Sequence, residues 1–462
     1  MNKTLITLAV AAFLSGCSLA PVYQRPDAPV TAAWPQGEAY QPGKTAPDAK
    51  AAADIQWRDF IADEKLRQVV SMALANNRDL RVSTLNIEKA RAQYGIQRAD
   101  LLPKVSAGVD QTATRAPGGG ITRQYTGGLV FPSYELDFFG KVRNLSEAGL
   151  QTYLGTQEAR NAQQISLVSE VATAWLTLAA DKERLRLAQD TLKSQQISYE
   201  LSKRRFESGA TSGLDMYEAQ SSVEAARNDM AIYTAQVAAD ENALALLVGV
   251  PVPKELLPQG AIDNVAQLAD LPEGVPSTVL QRRPDVLEAE RSLQAANANI
   301  GVARAAFFPS ITLTGSAGSA SGDLSGLFKG GSGSWSFMPQ VRLPIFDGGV
   351  NRANLSIAKT DREIAVARYE KSIQSAFREV ADALAQRGTM DERLASQVAL
   401  TTASEKSFQL HEARYKQGAE SYLNALVSQR AMYAAQQGLI TARLAKATNQ
   451  ITLYKVLGGG WS

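Results

Sequence analysis

The chain has 462 residues, 48 Lys+Arg against 46 Asp+Glu, and a formal net charge of +2, so it lacks the basic excess of a duplex nucleic-acid binder. With 45% hydrophobic and 20% charged residues it is not globally disordered. A single Cys and a single His, Cys17 and His411, exclude a disulfide framework and a Cys-rich or multi-His metal site within one chain.

Lys3 precedes an apolar run from Leu5 to Leu14, about ten residues and too short to span a bilayer as a helix. The run ends in Leu14-Ser15-Gly16-Cys17 and resembles a bacterial lipoprotein signal. That resemblance implies removal of residues 1–16 and lipidation of Cys17, and several acyl chains on one residue are enough for stable anchoring. Ser18, rather than Asp, after the Cys implies sorting to the outer membrane. Residues 17–62 read as an extended, lipidated N-terminal segment. No other stretch reaches about 18 apolar residues, so no transmembrane helix is expected.

A first structural copy is expected over 63–257. Leu66, Val69, Val70, Ala73, Leu74, Asn77 and Leu80 follow helical spacing, and one helix is predicted from Asp63 to Leu102, with Gly95 its only internal breaker and Pro103 its stop. Strand alternation follows over about 104–114 and 123–137, around a turn at Pro117-Gly118-Gly119-Gly120. A proline-free stretch predicts one long helix over about 141–207, roughly 100 Å at 1.5 Å per residue. Val171, Leu178, Leu185, Leu192, Tyr199 and Phe206 recur every seventh residue as a seam for a neighbouring helix. The chain reverses at Ser208 to Gly213. It returns as a helix whose apolar seam Asp240 interrupts. Residues 258–283 read as an irregular connector.

A second copy is expected over 284–462. Its strands are predicted at about 310–320 and 334–346, flanking a Gly/Ser-rich loop from Ser319 to Ser334. Trp335, Phe337, Val341, Leu343 and Ile345 share one parity of the second strand, where Pro339 favours an edge or bulge. A long helix follows over about 349–416, with a reversal near Gly418. The copies align directly. Gly95, Arg98, Ala99 and Pro103 match Gly301, Arg304, Ala305 and Pro309 in register, and Arg205 to Ala210 matches Arg414 to Ala419, at an offset of about 206 to 209 residues.

Alternating strands suit a barrel wall between lipid and a wet lumen, and aromatic residues from Phe131 to Phe139 and from Phe307 to Phe346 suit interfacial girdles. Four strands cannot close, and open edges in lipid leave backbone groups unsatisfied. Three copies give a barrel of about twelve strands, inside the known range. The expected fold is therefore mainly α with a membrane β-barrel. Two tandem copies of helix–strand–strand–long helix–helix build a homotrimer. Its barrel of about 12 strands runs into a periplasmic tunnel of about 12 helices. Axes about 9 Å apart put that ring roughly 34 Å across and leave a bore of about 24 Å.

These features, with Tyr23-Gln24-Arg25-Pro26, Leu280-Gln281-Arg282-Arg283-Pro284-Asp285, Ala303-Arg304-Ala305-Ala306-Phe307-Phe308-Pro309-Ser310, Gly333-Ser334-Trp335 and Leu457-Gly458-Gly459-Gly460-Trp461, resemble the outer-membrane factor family of tripartite efflux systems over essentially the whole chain. The closer likeness is to its OprM-type lipoproteins rather than to TolC. The resemblance implies a passive exit duct for drugs and other small molecules and a connector in an equatorial belt. It also implies two partners, a periplasmic adaptor (membrane fusion protein) and an inner-membrane resistance-nodulation-division transporter. It places a periplasmic gate at the hairpin turns, at Asp215, Glu420, Leu423, Asn424 and Val427, and adaptor docking at Gly209, Ala210, Gly418 and Ala419. TolC carries carboxylates at the positions of Asn424 and Val427, and the OprM likeness carries one at Val427. With neither acidic here, the expectation is a weaker cation filter, carried by Asp215 and Glu420.

His411 reads as a solvated helical residue without a partner base or metal set. Gly330-Gly331-Ser332-Gly333-Ser334 lacks the Lys of a phosphate loop. With no nucleophile, base and orienting group to name, no enzymatic activity, metal or cofactor is expected beyond the lipid on Cys17. An exit duct for protein or polysaccharide secretion shares the architecture. A pore-free periplasmic scaffold leaves the four strands unexplained.

Overall fold

The computed structural model describes residues 18–40, 54–262, 268 and 277–460. The expected signal at 1–16, Cys17, residues 41–53 and half of the expected connector lie outside them.

The helices are α1 (Trp57–Phe60), α2 (Glu64–Asn76), α3 (Arg78–Ala99), α4 (Lys141–Glu207), α5 (Gly213–Val248), α6 (Pro284–Ala305), α7 (Val350–Lys416) and α8 (Tyr422–Val456). The strands are β1 (Ser106–Arg115), β2 (Ile121–Leu136), β3 (Ser310–Ser321) and β4 (Gly333–Arg342). Helices α4 and α7 each have 67 residues, and α3 and α6 each have 22, so the internal likeness in sequence is a likeness in elements. No described helix is long and apolar enough to cross a membrane.

The helix predicted from Asp63 to Leu102 is two helices, broken at Asn77. Asp63 caps α2 by accepting the Leu66 amide at 2.8 Å. Asn77 is extended, accepts the Leu80 amide at 2.8 Å and donates to the Leu247 carbonyl at 2.8 Å. Its side chain offers the backbone an alternative to the helical bond and ties the break to the end of α5. Gly95, the suspected breaker, lies inside α3.

The chain divides into two units. The first holds residues 18–28, Leu85–Glu158 and Leu287–Ser372. Its centre is one antiparallel sheet in the order β1-β2-β3-β4, so β1 and β4 both present unpaired outer edges. The register puts Ala107, Leu129, Ala317 and Trp335 on one rung, and Gly108, Gly128, Gly318 and Ser334 on the next. One face is therefore apolar and the other carries small and hydroxyl side chains, among them Ser316 and Ser336, whose hydroxyls bond at 2.8 Å. β2 is bulged between Phe131 and Tyr134, at Pro132, which has no amide for the ladder. Two readings of the sequence change. β4 ends at Arg342, before Pro344, so Leu343 and Ile345 are not strand residues. Trp335 and Phe337 pair with Ala317 and Gly315, placing them within the apolar face rather than at its rim.

In the same unit an extended N-terminal strap lies along α6. Arg304 donates to the Leu19 carbonyl at 2.9 Å and Asn297 to the Pro21 carbonyl at 2.7 Å. Glu290 accepts from Tyr23 at 3.0 Å and from Arg25 at 2.7 Å. Glu290, Asn297 and Arg304 are spaced by sevens, one stripe of the helix. Gly301 lies between the last two, where a Cβ would strike the Asn144 side chain and come within 2.8 Å of the Ala20 nitrogen.

The second unit holds the described residues of Pro29–Thr84, Ala159–Val286 and Ile373–Ser462. Val171, Trp175, Leu178 and Leu192 of α4 are buried, but the seam fades toward the turn, where Phe206 is exposed. Arg283, also buried, donates to the Val456 carbonyl at 2.8 Å, to Asp285 at 2.7 Å and to Glu379 at 2.8 Å. One guanidinium thereby joins the start of α6, the middle of α7 and the end of α8.

Candidate functional site at the hairpin turns

The two reversals in the second unit are built alike. At the first, the Gly209 amide donates to the Phe206 carbonyl at 2.9 Å and the Ala210 amide to the Arg205 carbonyl at 2.8 Å. At the second, Gly418 donates to Tyr415 at 3.0 Å and Ala419 to Arg414 at 2.9 Å. This paired closure needs a left-handed residue, and Gly209 and Gly418 supply it at φ 72° and 75°. No atom lies within 4 Å of where their Cβ atoms would stand, and Ala210 and Ala419 beside them are exposed. The expected docking residues thus lie in open, small-residue notches.

Inside the turns, Ala219, Tyr422 and Leu426 form a buried cluster with Tyr199 and Tyr415 against it. Arg205 lies over the Tyr415 ring, 5.0 Å from its centre, and links the two hairpins. Burial pushes the Tyr422 phenol up to about 12. The exposed stripe of α8 carries Leu423, Asn424 and Val427, three of the expected gate residues, while Ala425 and Leu426 face inward. Leu214 and Tyr217 on α5 are also exposed, and alternation in the sequence did not single them out.

The acids are arranged differently from the expectation. Asp215, in the first turn of α5, accepts a short hydrogen bond from the Thr211 hydroxyl. Glu420 lies one turn before Asn424, which donates to it at 2.9 Å. Under the repeat alignment Thr211 corresponds to Glu420 and Asp215 to Asn424. The same one-turn bridge occurs twice with donor and acceptor exchanged, so the carboxylate absent at Asn424 stands one turn earlier.

The environments of the two acids differ. Glu420 Oε1 lies 2.9 Å from His411 Nδ1, and Oε2 lies 3.3 Å from Arg414 Nε. The contact with His411 first, then those with Asn424 and Arg414, hold the Glu420 carboxyl below the usual range. His411 therefore has a partner, which corrects its reading as an isolated solvated residue. The left-handed turn folds residues 411 and 420 together, and helical periodicity carries no sign of it. Among the described residues no cation pairs with Asp215, so its charge is the less compensated of the two. Among the described residues there is no cluster of three or more His, Cys, Asp or Glu able to hold a metal ion.

Residues 69–250 and 275–459 match the family described as outer membrane efflux protein. The toluene efflux pump outer membrane protein TtgC of Pseudomonas putida is 49% identical over 469 residues, covering 100% of this chain and 96% of the relative. The crystal structure of a membrane protein from Pseudomonas aeruginosa is similar at a TM-score of 0.89 and 42% identity, covering 96% of this chain and 100% of that one. The open state of the Neisseria gonorrhoeae MtrE outer membrane channel is similar at a TM-score of 0.87 and 38% identity, covering 96% and 99%. The tandem helical hairpins, the two-faced sheet and these likenesses agree: the chain belongs to the outer membrane efflux protein family, channels of the bacterial outer membrane.

Proposed function

We propose that three copies of the chain join their sheets edge to edge into a barrel of about twelve strands, continuous with a helical tunnel of about twelve helices. The assembly is a passive exit duct of a tripartite efflux system. Its energy comes from an inner-membrane resistance-nodulation-division transporter, coupled through a periplasmic adaptor. The observation that carries this reading is the sheet with two unpaired edges, one apolar face and one polar face. Alone in lipid those edges would leave a row of unsatisfied backbone groups, and pairing with two further copies removes them.

Cys17 carries the lipid anchor. The notches at Gly209, Ala210, Gly418 and Ala419 receive the tips of adaptor hairpins. Asp215, Leu423, Asn424 and Val427 line the periplasmic gate. Asp215 carries most of the cation preference, because the Arg414 guanidinium compensates Glu420. The cargo is small and lipophilic, in keeping with a relative named for toluene efflux.

The test is the native mass of the detergent-extracted protein, followed by single-channel recording. A trimer that conducts in planar bilayers is expected. A stable monomer would overturn the barrel and the duct together.

A further inference from the structure

The register assigns each strand residue to a face and fixes where the apolar face stops. That face starts at the helix-connected end with Ile311 opposite Val341 and continues to Val109 opposite Gly127. The β3–β4 loop folds onto it there. A Cβ on Gly127 would lie 3.3 Å from Leu327 and 3.4 Å from both Phe328 and Val109. Leu327 is buried by this contact, whereas Phe328 is 77% exposed.

Beyond Gly127 the same face changes character. The next rung carries Tyr125 opposite Gln111, then come Arg123 opposite Ala113 and Arg115 opposite Ile121. Tyr125 pairs across with Ser321. Ile311 to Ser321 is ten steps along β3, about 34 Å at 3.4 Å per residue and about 26 Å along the membrane normal at a 40° tilt. An outer-membrane apolar band is about 25 Å tall. Tyr125 therefore stands at the band's far edge, and Arg123 and Arg115 stand just outside it on the lipid-facing side. Lys329 follows Phe328 in the loop that covers this face.

Among the described residues none of these three cations has an anionic partner. The one acid of β1, Asp110, lies on the opposite face, opposite Thr126. The cations occupy the sheet end away from the helices, at headgroup height in the outer leaflet. Guanidinium groups bind phosphate bidentately, and the exposed Phe328 beside them offers contact to acyl chains.

We propose that Arg115, Arg123 and Lys329 form, on each protomer, a surface that binds the phosphate groups of outer-leaflet lipopolysaccharide, with Phe328 against its acyl chains. The site rests on the trimeric barrel proposed above.

The experiment is native mass spectrometry of the delipidated full-length protein, titrated with bisphosphorylated lipid A, with dephosphorylated lipid A and with phosphatidylglycerol. Bisphosphorylated lipid A is expected to bind best. The combined Arg115→Gln, Arg123→Gln and Lys329→Gln variant should lose about fivefold in affinity per cation removed, with trimer mass and conductance retained. Lys104→Gln, at the helix-connected end, should leave lipid A binding unchanged. A conducting triple variant that binds within twofold of the parent overturns the site and leaves the barrel standing. Equal binding of dephosphorylated lipid A or of phosphatidylglycerol also overturns it. A monomer that binds none of the three overturns the barrel, and the site with it.

Discussion

Removing the Arg283 guanidinium should loosen the end of the last helix and little else. The Val456 carbonyl it holds lies past the last intrahelical donors, in a residue 5% exposed. Leaving such a group unpaired costs about 1–3 kcal/mol. The carboxylates of Asp285 and Glu379 are 43% and 40% exposed, so water recovers them and their ion pairs add only about 1 kcal/mol together. The total is about 3 kcal/mol, or about 100-fold in a local opening equilibrium. Hydrogen exchange at Leu457, Gly458 and Gly459, whose amides close back onto Leu453, Lys455 and Tyr454, reads that opening directly. Arg283→Ala should speed exchange there about 100-fold, and Arg283→Lys, a point charge without the fork, should fall between. Arg282→Ala is the control, since its 2.9 Å pair with Asp54 is 59% and 49% exposed. If Arg283→Ala exchanges within threefold of Arg282→Ala, the guanidinium is not what holds this junction.

Four further outcomes are expected. Burial first, and then a hydrogen bond with Asp181, push the Asp240 carboxyl up to about 6 from 3.8. The folded chain then keeps a proton that the unfolded chain releases, so stability falls as pH rises through that window. Asp240→Asn should flatten the profile and stabilise the fold at pH 7 by about 1 kcal/mol after solvent screening, read as a raised thermal midpoint. In planar bilayers Asp215→Asn should lower cation preference more than Glu420→Gln does, and equal shifts in reversal potential would sink the compensation argument. Ala210→Trp or Ala419→Trp should abolish drug resistance with trimers still assembled, so retained resistance would count against docking in the notches. A Cβ on Gly128 would lie 2.5 Å from both the Ala317 carbonyl oxygen and the Gly318 Cα, so Gly128→Val should block sheet assembly, read as loss of the heat-modifiable trimer on gels.

Local periodicity made much of this fold legible. The long helices carry apolar spacings and lack proline, and the strands alternate between turn residues, so both declare themselves within a few residues. The duplication was legible because it is a comparison of the chain with itself. Contacts that depend on tertiary geometry were not. The Asn77 break needs the Leu247 carbonyl, 170 positions away, to make it favourable. Arg283 joins groups 96 and 173 positions distant, and in sequence it is one of two adjacent arginines. His411 and Glu420 are nine residues apart, on no common helical face, until the left-handed glycine turns the chain between them. The exchanged Thr211–Asp215 and Asn424–Glu420 bridges were within reach of the repeat alignment. Recognising them needed the knowledge that both positions hydrogen-bond across one turn.

The strap along α6 is a measuring device. Arg304 and Asn297 grip backbone carbonyls, which every residue possesses, so substitution at Leu19 or Pro21 leaves the grip in place. Glu290 accepts side chains, from Tyr23 and Arg25, and so fixes the phase of the scale. With Cys17 lipidated as proposed above, deletion of Ser18 would leave every tooth engaged and bring the acyl anchor one residue, about 3.3 Å, closer to the strap. A deletion between Pro21 and Tyr23 would put the carbonyl teeth and the side-chain teeth out of step. Spacing in this stretch is therefore worth more than composition, and the reach from the proposed lipid anchor to α6 is written in residue count.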